Sequence, residues 1–303
     1  MSAPARGKPV PPPDEPTPPA ELPLVEIGPT SLYAEVSRLP VEEAFVAPHS
    51  VARGVIAFDL DGTILDDIGL ISSVAADVLF RAFGTPVEDG RLHYLATTGM
   101  PFEAQLAQLY PDISPDDREA AARIFHERKI KEAYVAARSF PEIPKLLKRL
   151  SAVGWTLVVS TGAEREMADL VLERQGLRFW FESVLGSGQG TKREHLAEYR
   201  RRYPGATLYL VGDSRFDMEA AASVEGVVAL GRASRLRGWT LTPDDLRRWG
   251  ARWADYTLSG LLEVLDELAA PAPTKRRVVR PSGKKREGRD RDSPKAGGGP
   301  ASL

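Results

Sequence analysis

The sequence predicts an α/β protein: a doubly wound parallel sheet with a helical segment inserted after the first strand. Three observations carry this expectation. Short runs rich in Val, Ile and Leu alternate with helix-period segments from Gly54 onward. These runs lack the polar alternation of a half-exposed strand, as expected where both faces of a sheet are covered. One interval, residues 68–140, breaks the alternation with helical patterns and no convincing strand. Strands separated by helices pair in parallel through crossover connections, so the sheet carries helices on both sides.

The elements follow in chain order. The first 29 residues hold ten of the 25 prolines, including "VPPPDEPTPP", and such a segment forms neither helix nor interior strand. Residues 1–30 are therefore expected to be a disordered, Pro-rich N-terminus. The first strand is "GVIAFD" (54–59), and it ends the first part of an α/β core, residues 31–67. The interval 68–140 reads as a helical cap. Within it "SPDDREAAARIFHERKIKEAYVAARS" opens with Ser114 and Asp117 in the manner of a capping box. The core resumes over 141–270. There "TLVVST" (156–161), "TLYLVGD" (207–213) and "GVVAL" (226–230) read as strands, and 141–153, 163–175, 191–203 and 216–224 as helices. Gly176 suits a left-handed helix stop. A last helix near 260–269 follows "ADYTL", and 271–303 is a basic tail expected to be disordered.

Charge is unevenly spread. The formal net charge is -2, yet residues 272–303 carry ten Lys/Arg against three acids, and residues 1–30 contribute -2. The tail lacks interleaved aromatics, so a solvated tail is expected, with a tether to nucleic acid or an acidic partner as the alternative. The absence of cysteine removes disulfide and thiolate chemistry and fits a reducing compartment. No apolar run reaches the roughly 18 residues that would span a bilayer, so a cytoplasmic protein without membrane attachment is expected.

The stretch "GVIAFDLDGTILDD" leads an apolar strand into Asp59, Asp61, Asp66 and Asp67. In an open parallel sheet the ligand crevice lies beyond the C-terminal strand ends. Those ends carry Asp59 and Asp61, then Ser160 and Thr161, then Asp213 and Asp217 of "GDSRFD", with Lys192 opening the preceding helix. So many carboxylates do not stay ionised together without a counter-ion. A hard divalent cation, Mg²⁺, answers the need, because it takes oxygen ligands and keeps room for water and substrate phosphate oxygens. Asp66 and Asp67 lie past the turn and are expected to face water or cap a helix.

"DLDGT", "VVST", Lys192 and "GDSRFD", in this order, resemble the four motifs of the haloacid dehalogenase (HAD) superfamily, over roughly residues 54–268. The nearest resemblance is to phosphoglycolate-phosphatase-like hydrolases, with a Rossmann-like core and a helical cap after the first strand. The resemblance implies a Mg²⁺-dependent phosphoric monoester hydrolase acting on a small phosphorylated metabolite through an aspartyl-phosphate. It implies Asp59 as nucleophile and Asp61 as the acid that protonates the leaving alcohol and then activates water. Ser160 and Lys192 would bind and neutralise the phosphoryl group, with Thr161 and Gly162 beside them. Metal ligands would be Asp59, Asp61 through its backbone carbonyl, Asp213 and Asp217. In "HYLATTGMPFEAQL" the cap loop would bring Gly99 to the substrate, and Pro101 suits the next helix start.

This chain departs from the pattern twice. Arg193, not Pro, follows the motif lysine, and Ser160-Thr161-Gly162 stands where many relatives have Thr-Asn. Ser160 is the favoured phosphate-binding hydroxyl, and Thr161 remains open. Asp61 argues against a dehalogenase, the lack of lysine in 68–128 against a phosphonate hydrolase, and Ile71 where a histidine is expected against a phosphomutase. An inactive scaffold used as a binding protein, or a phosphotransferase, is the alternative. Asp217 has a helix-capping role open to it as well. Arg91 and His93 are expected at the surface, with contact to a substrate anion as the alternative, His126 on a helix face, and Trp180, Trp239, Trp249 and Trp253 in packing.

Overall fold

The computed structural model of the chain describes residues 53–269. The expected disorder at 1–30 and 271–303, and the part of the core stretch before Arg53, lie outside the described residues. Six strands form one sheet: β1 (Gly54–Phe58), β2 (Trp155–Ser160), β3 (Ser183–Leu185), β4 (Leu208–Gly212), β5 (Val227–Arg232) and, after a small hairpin, β8 (Trp253–Asp255). Their order is β3-β2-β1-β4-β5-β8, and every neighbouring pair is parallel. Strand β1 is buried along its whole length, which explains its uninterrupted apolar sequence. The chain builds outward from β1 to β3, then returns to β4 on the other side of β1. The direction of winding therefore switches between β1 and β4, where ligand crevices form in such sheets.

Beyond the inserted segment, helices α5 (Ile143–Ala152), α6 (Arg165–Arg174), α7 (Lys192–Arg202), α8 (Arg215–Ala222) and α9 (Pro243–Arg248) connect the strands. One face of the sheet buries Val55, Ala57, Val158, Leu208 and Leu210 against Leu196 and Tyr199 of α7, Met218 of α8 and Leu246 of α9. Trp239 and Trp249 pack at the edge of this cluster. The hairpin β6 (Ser234–Leu236) and β7 (Trp239–Leu241) turns through Arg237 and Gly238, and Gly238 takes the positive φ, +73°, that a two-residue hairpin loop demands. The chain divides after Ser259 by internal packing. The segment beyond contributes α10 (Leu261–Ala269), whose Leu261, Leu262 and Leu265 are buried.

Between β1 and α5 the inserted segment holds four helices and no strand: α1 (Ile68–Phe83), α2 (Val87–Ala96), α3 (Phe102–Leu109) and α4 (Pro115–Arg128), closed by a π-helical turn, Lys129–Tyr134. Ser114 caps α4 by accepting the Asp117 N–H at 3.1 Å. Phe102 and Phe125 stack at 4.0 Å, with Tyr94 beside both. The two segments that connect this insertion to the sheet lie side by side. The Asp66 N–H donates to Arg138 O at 2.8 Å and the Phe140 N–H to Ile64 O at 3.0 Å. The insertion thus leaves and rejoins the sheet at one point, directly beyond β1.

Candidate active site

The turn after β1 is tight because Leu60 O accepts the N–H groups of Ile64 and Leu65 at 2.9 and 3.0 Å. Gly62 has φ +74°, and a Cβ there would lie 2.0 Å from Asp213 Oδ2. Only glycine fits this close approach. The Gly62 N–H also donates to Asp67 Oδ1 at 3.1 Å. This corrects the expectation for Asp67, which neither faces water nor caps α1 with its side chain. It is 1% exposed and ties down the turn, because its chain position directs the carboxylate back over Gly62. Asp66 is exposed.

Asp59, Asp213 and Asp217 meet beyond the ends of β1 and β4. All three are buried, and one carboxylate oxygen from each lies within 4.8 Å of the others. Lys192, at the start of α7, reaches Asp59 Oδ1 at 2.9 Å and also pairs with Asp217 Oδ1. Two of the three carboxylates thus share one ammonium. Burial pushes the Asp59 carboxyl up to about 7, against the pull of Lys192 and helped by the charge of Asp217. Burial and the same neighbouring acids hold Asp213 well above the carboxylate range. Burial works against the Lys192 ammonium, yet Asp217 and Asp59 keep it far above an ordinary lysine. The trio is short of positive charge, and its oxygen-only donors match a hard divalent cation.

Asp217 also caps α8. Its Oδ2 accepts from the Ser214 N–H at 3.1 Å and hydroxyl at 2.5 Å, while Ser214 Oγ accepts the Asp217 N–H at 3.2 Å. The pairing with Lys192 and the cap use different oxygens of Asp217 and coexist. Gly212 makes room for it, since a Cβ there would lie 2.3 Å from Asp217 Cγ.

Ser160 follows Val159, which pairs with Phe58, so it stands beside Asp59 at the end of β2. Its hydroxyl meets His195 Nδ1 at 3.1 Å, and His195 Nε2 lies 3.0 Å from Gly186 O. A carbonyl only accepts, so Nε2 carries the proton and Nδ1 accepts from Ser160. Burial lowers His195, in keeping with a neutral ring. Thr161 Oγ1 accepts the Ala163 N–H at 3.1 Å, and Gly162 is exposed. From the insertion, Gly99 (φ +93°) comes so close to the core that a Cβ would lie 2.5 Å from Ser214 Oγ. The insertion loop therefore meets the "GDSRFD" segment.

The Asp61 carboxylate stands apart from the trio. Its Oδ2 accepts from Lys129 Nζ at 2.5 Å and from the Tyr134 hydroxyl at 3.0 Å. Lys129, Tyr134 and His195 are site residues that sequence reasoning did not single out, and Asp67 is one that it expected in water or at a helix cap. The one available signal was that the lysine-free run 68–128 ends at Lys129. Of the other residues weighed, Arg91 donates to Arg237 O at 2.6 Å, and His126 pairs with Glu103 at the surface, 2.9 Å apart.

The profile of the haloacid dehalogenase-like hydrolase family matches residues 56–229. A protein named probable phosphatase IndB of Dickeya dadantii is 32% identical over 190 residues, which cover 59% of this chain and 80% of that protein. A phosphoglycolate phosphatase of Vibrio cholerae is 28% identical over 180 residues, 55% of this chain and 79% of that one. Among solved structures, a hydrolase from Pseudomonas syringae superimposes with TM-score 0.60 at 19% identity, over 72% of this chain and all of that one (100%). A haloacid dehalogenase-like family hydrolase of Streptococcus pneumoniae gives 0.56 at 23%, over 71% and 98%. These structures speak to the fold alone. Among the described residues no helix is long and apolar enough to cross a membrane. With motif order, sheet topology and family profile in agreement, the chain belongs to the haloacid dehalogenase-like hydrolases, among relatives named as phosphatases.

Proposed function

We propose that the protein is a Mg²⁺-dependent phosphatase that hydrolyses a small phosphate monoester through an aspartyl-phosphate on Asp59. The observation that carries this is the buried trio Asp59, Asp213 and Asp217 around the single ammonium of Lys192. Asp59, Asp213, Asp217 and the Asp61 carbonyl would hold the ion. When bound, Mg²⁺ would offset the excess of carboxylate charge and the charge of the phosphoryl oxygens.

The chain's own groups account for the rest. The Asp59 carboxylate attacks phosphorus, and the bond to the leaving oxygen breaks. Asp61 gives that oxygen a proton, then takes one from the water that attacks the phosphoryl-aspartate, releasing inorganic phosphate and the Asp59 carboxylate. Lys192 neutralises charge on the transferring group. Ser160, once its hydroxyl turns from His195, Thr161 and the Gly162 N–H would bind it from the end of β2, with Gly99 on the insertion side. The relatives' names place short phosphorylated carboxylates such as phosphoglycolate first among substrates to assay.

The test is covalent. Given acetyl phosphate, whose leaving group needs no proton, the Asp61→Asn variant is expected to gain the mass of one phosphoryl group after acid quench. Asp59→Asn is expected to gain none, and wild type to lose turnover in excess chelator. Phosphorylation of the chain without Asp59 would refute the nucleophile assignment.

A further inference from the structure

The acid beside the nucleophile is gripped from the insertion. Lys129 and Tyr134 both bond Asp61 Oδ2, at 2.5 and 3.0 Å, and the Lys129 ammonium lies 4.8 Å from the Tyr134 ring centre. The Lys129 and Asp61 side chains are only 15% and 16% exposed, and Tyr134 is buried. The two donors stand five positions apart in the chain. On an α-helix that spacing turns them about 140° apart. A π-helix closes its hydrogen bonds at i→i+5 and returns such a pair to one face. The segment Lys129–Tyr134 is that π-helical turn, and it immediately precedes the connector that pairs with the loop after β1. An extra residue in a helix is a conformational cost, and here its geometric product is a two-donor clamp on one carboxylate oxygen.

We infer that Lys129 and Tyr134 are positioning residues that hold the Asp61 carboxylate in the orientation from which it activates water in the second half-reaction. This rests on the phosphatase function proposed above. In that half-reaction a water oxygen bonds to phosphorus, its proton passes to Asp61, and the phosphorus–oxygen bond to Asp59 breaks. Neither clamp residue touches phosphorus or water. Their contribution is to keep a flexible carboxylate from turning away once the leaving group has gone. The insertion thereby has a part in the chemistry besides covering the crevice: its return segment must be docked for the intermediate to be released.

An aryl phosphate separates this role from a general loss of structure. Its leaving group departs without a proton, so kcat/KM reports phosphorylation of Asp59, which does not need Asp61. Turnover needs both steps. With p-nitrophenyl phosphate and Mg²⁺, Lys129→Met is expected to lower kcat roughly tenfold or more, within the range that acid–base groups contribute. KM should fall by the same factor, so that kcat/KM stays within about twofold of wild type. Intact mass after acid quench should show the phosphorylated chain accumulating. Tyr134→Phe should shift kcat and KM in the same sense but less, and Lys129→Arg should recover part of the loss. Unchanged kcat in both Lys129→Met and Tyr134→Phe, or kcat/KM falling together with kcat and no phosphorylated chain, would overturn the clamp. A wild-type protein inert toward every monoester with Mg²⁺ would instead overturn the proposed function, and the clamp with it.

Discussion

At Asp59 burial and charge pull in opposite directions, and the balance predicts how the protein responds to pH. Its folded-state value near 7 stands above the ordinary 3.8, so between these values the folded chain binds more protons than the unfolded one. Stability from this group is therefore greatest at the acid end of that window and falls as pH rises through it. Asp213 shifts in the same direction and adds to the slope. Thermal melts in chelator should show Tm declining from about pH 4 to 7, and saturating Mg²⁺ should flatten the decline, because a nearby cation favours the ionised carboxylates. A Tm that rises through the window in chelator would mean that Lys192 alone keeps the trio ionised. Lys192→Met, with the one ammonium gone, should cut kcat/KM roughly a hundredfold or more. That Asp59, Asp213, Asp217 and Lys192 would meet was legible, because the strand ends of a parallel sheet open on one edge. Asp67 was not, since nothing in "LDD" tells which acid folds back on Gly62 and which faces water.

Two helices begin with the same device, and they allow its structural and functional parts to be separated. Ser114 caps α4 at the surface, and Ser214 caps α8 inside the site, where it also fixes Asp217. Either serine replaced by alanine forfeits a cap worth about 1 kcal/mol. Ser114→Ala should lower Tm modestly and leave kcat unchanged. Ser214→Ala should in addition lower kcat, because Asp217 Oδ2 loses its hydroxyl partner and is free to turn from Lys192. Equal kinetics in the two variants would show that the cap does not orient Asp217. The elements themselves were read well where they are long. The four major strands and their helices lie within two residues of the expected bounds, whereas β3 and β8 are three residues each, too short for a hydrophobic period to register. The π-turn was invisible for a different reason: "KIKEAY" has ordinary helix-forming residues, and nothing local in it marks an extra backbone residue.

Across the whole molecule the insertion, the sheet and the last loop of the first unit are fastened at one ion pair. Glu142, just past the return connector, accepts from Arg232 at the end of β5 at 2.6 Å and from the Leu258 N–H at 3.2 Å. Arg232 is 4% exposed and its guanidinium lies over the Phe140 ring, 3.3 Å from its centre. Burial opposes the Glu142 charge, yet the Arg232 hydrogen bond holds its carboxyl below the usual range. Removing one partner of such a pair strands the other charge in a low-dielectric setting, which costs roughly 3–5 kcal/mol. Glu142→Ala should therefore melt far below wild type. Glu142→Ala combined with Arg232→Met should recover much of that loss, because the stranded charge is then gone. The same variants bear on how the insertion is held. If the pair fixes the return connector, the single variant should also lose its phosphoryl group more slowly than wild type, since Lys129 and Tyr134 reach Asp61 from the π-helical turn just before that connector. Additive Tm losses in the double variant would show that Glu142 and Arg232 act separately. The insertion would then owe its anchoring to its backbone pairing with the loop after β1 and to the bonds of Lys129 and Tyr134 to Asp61.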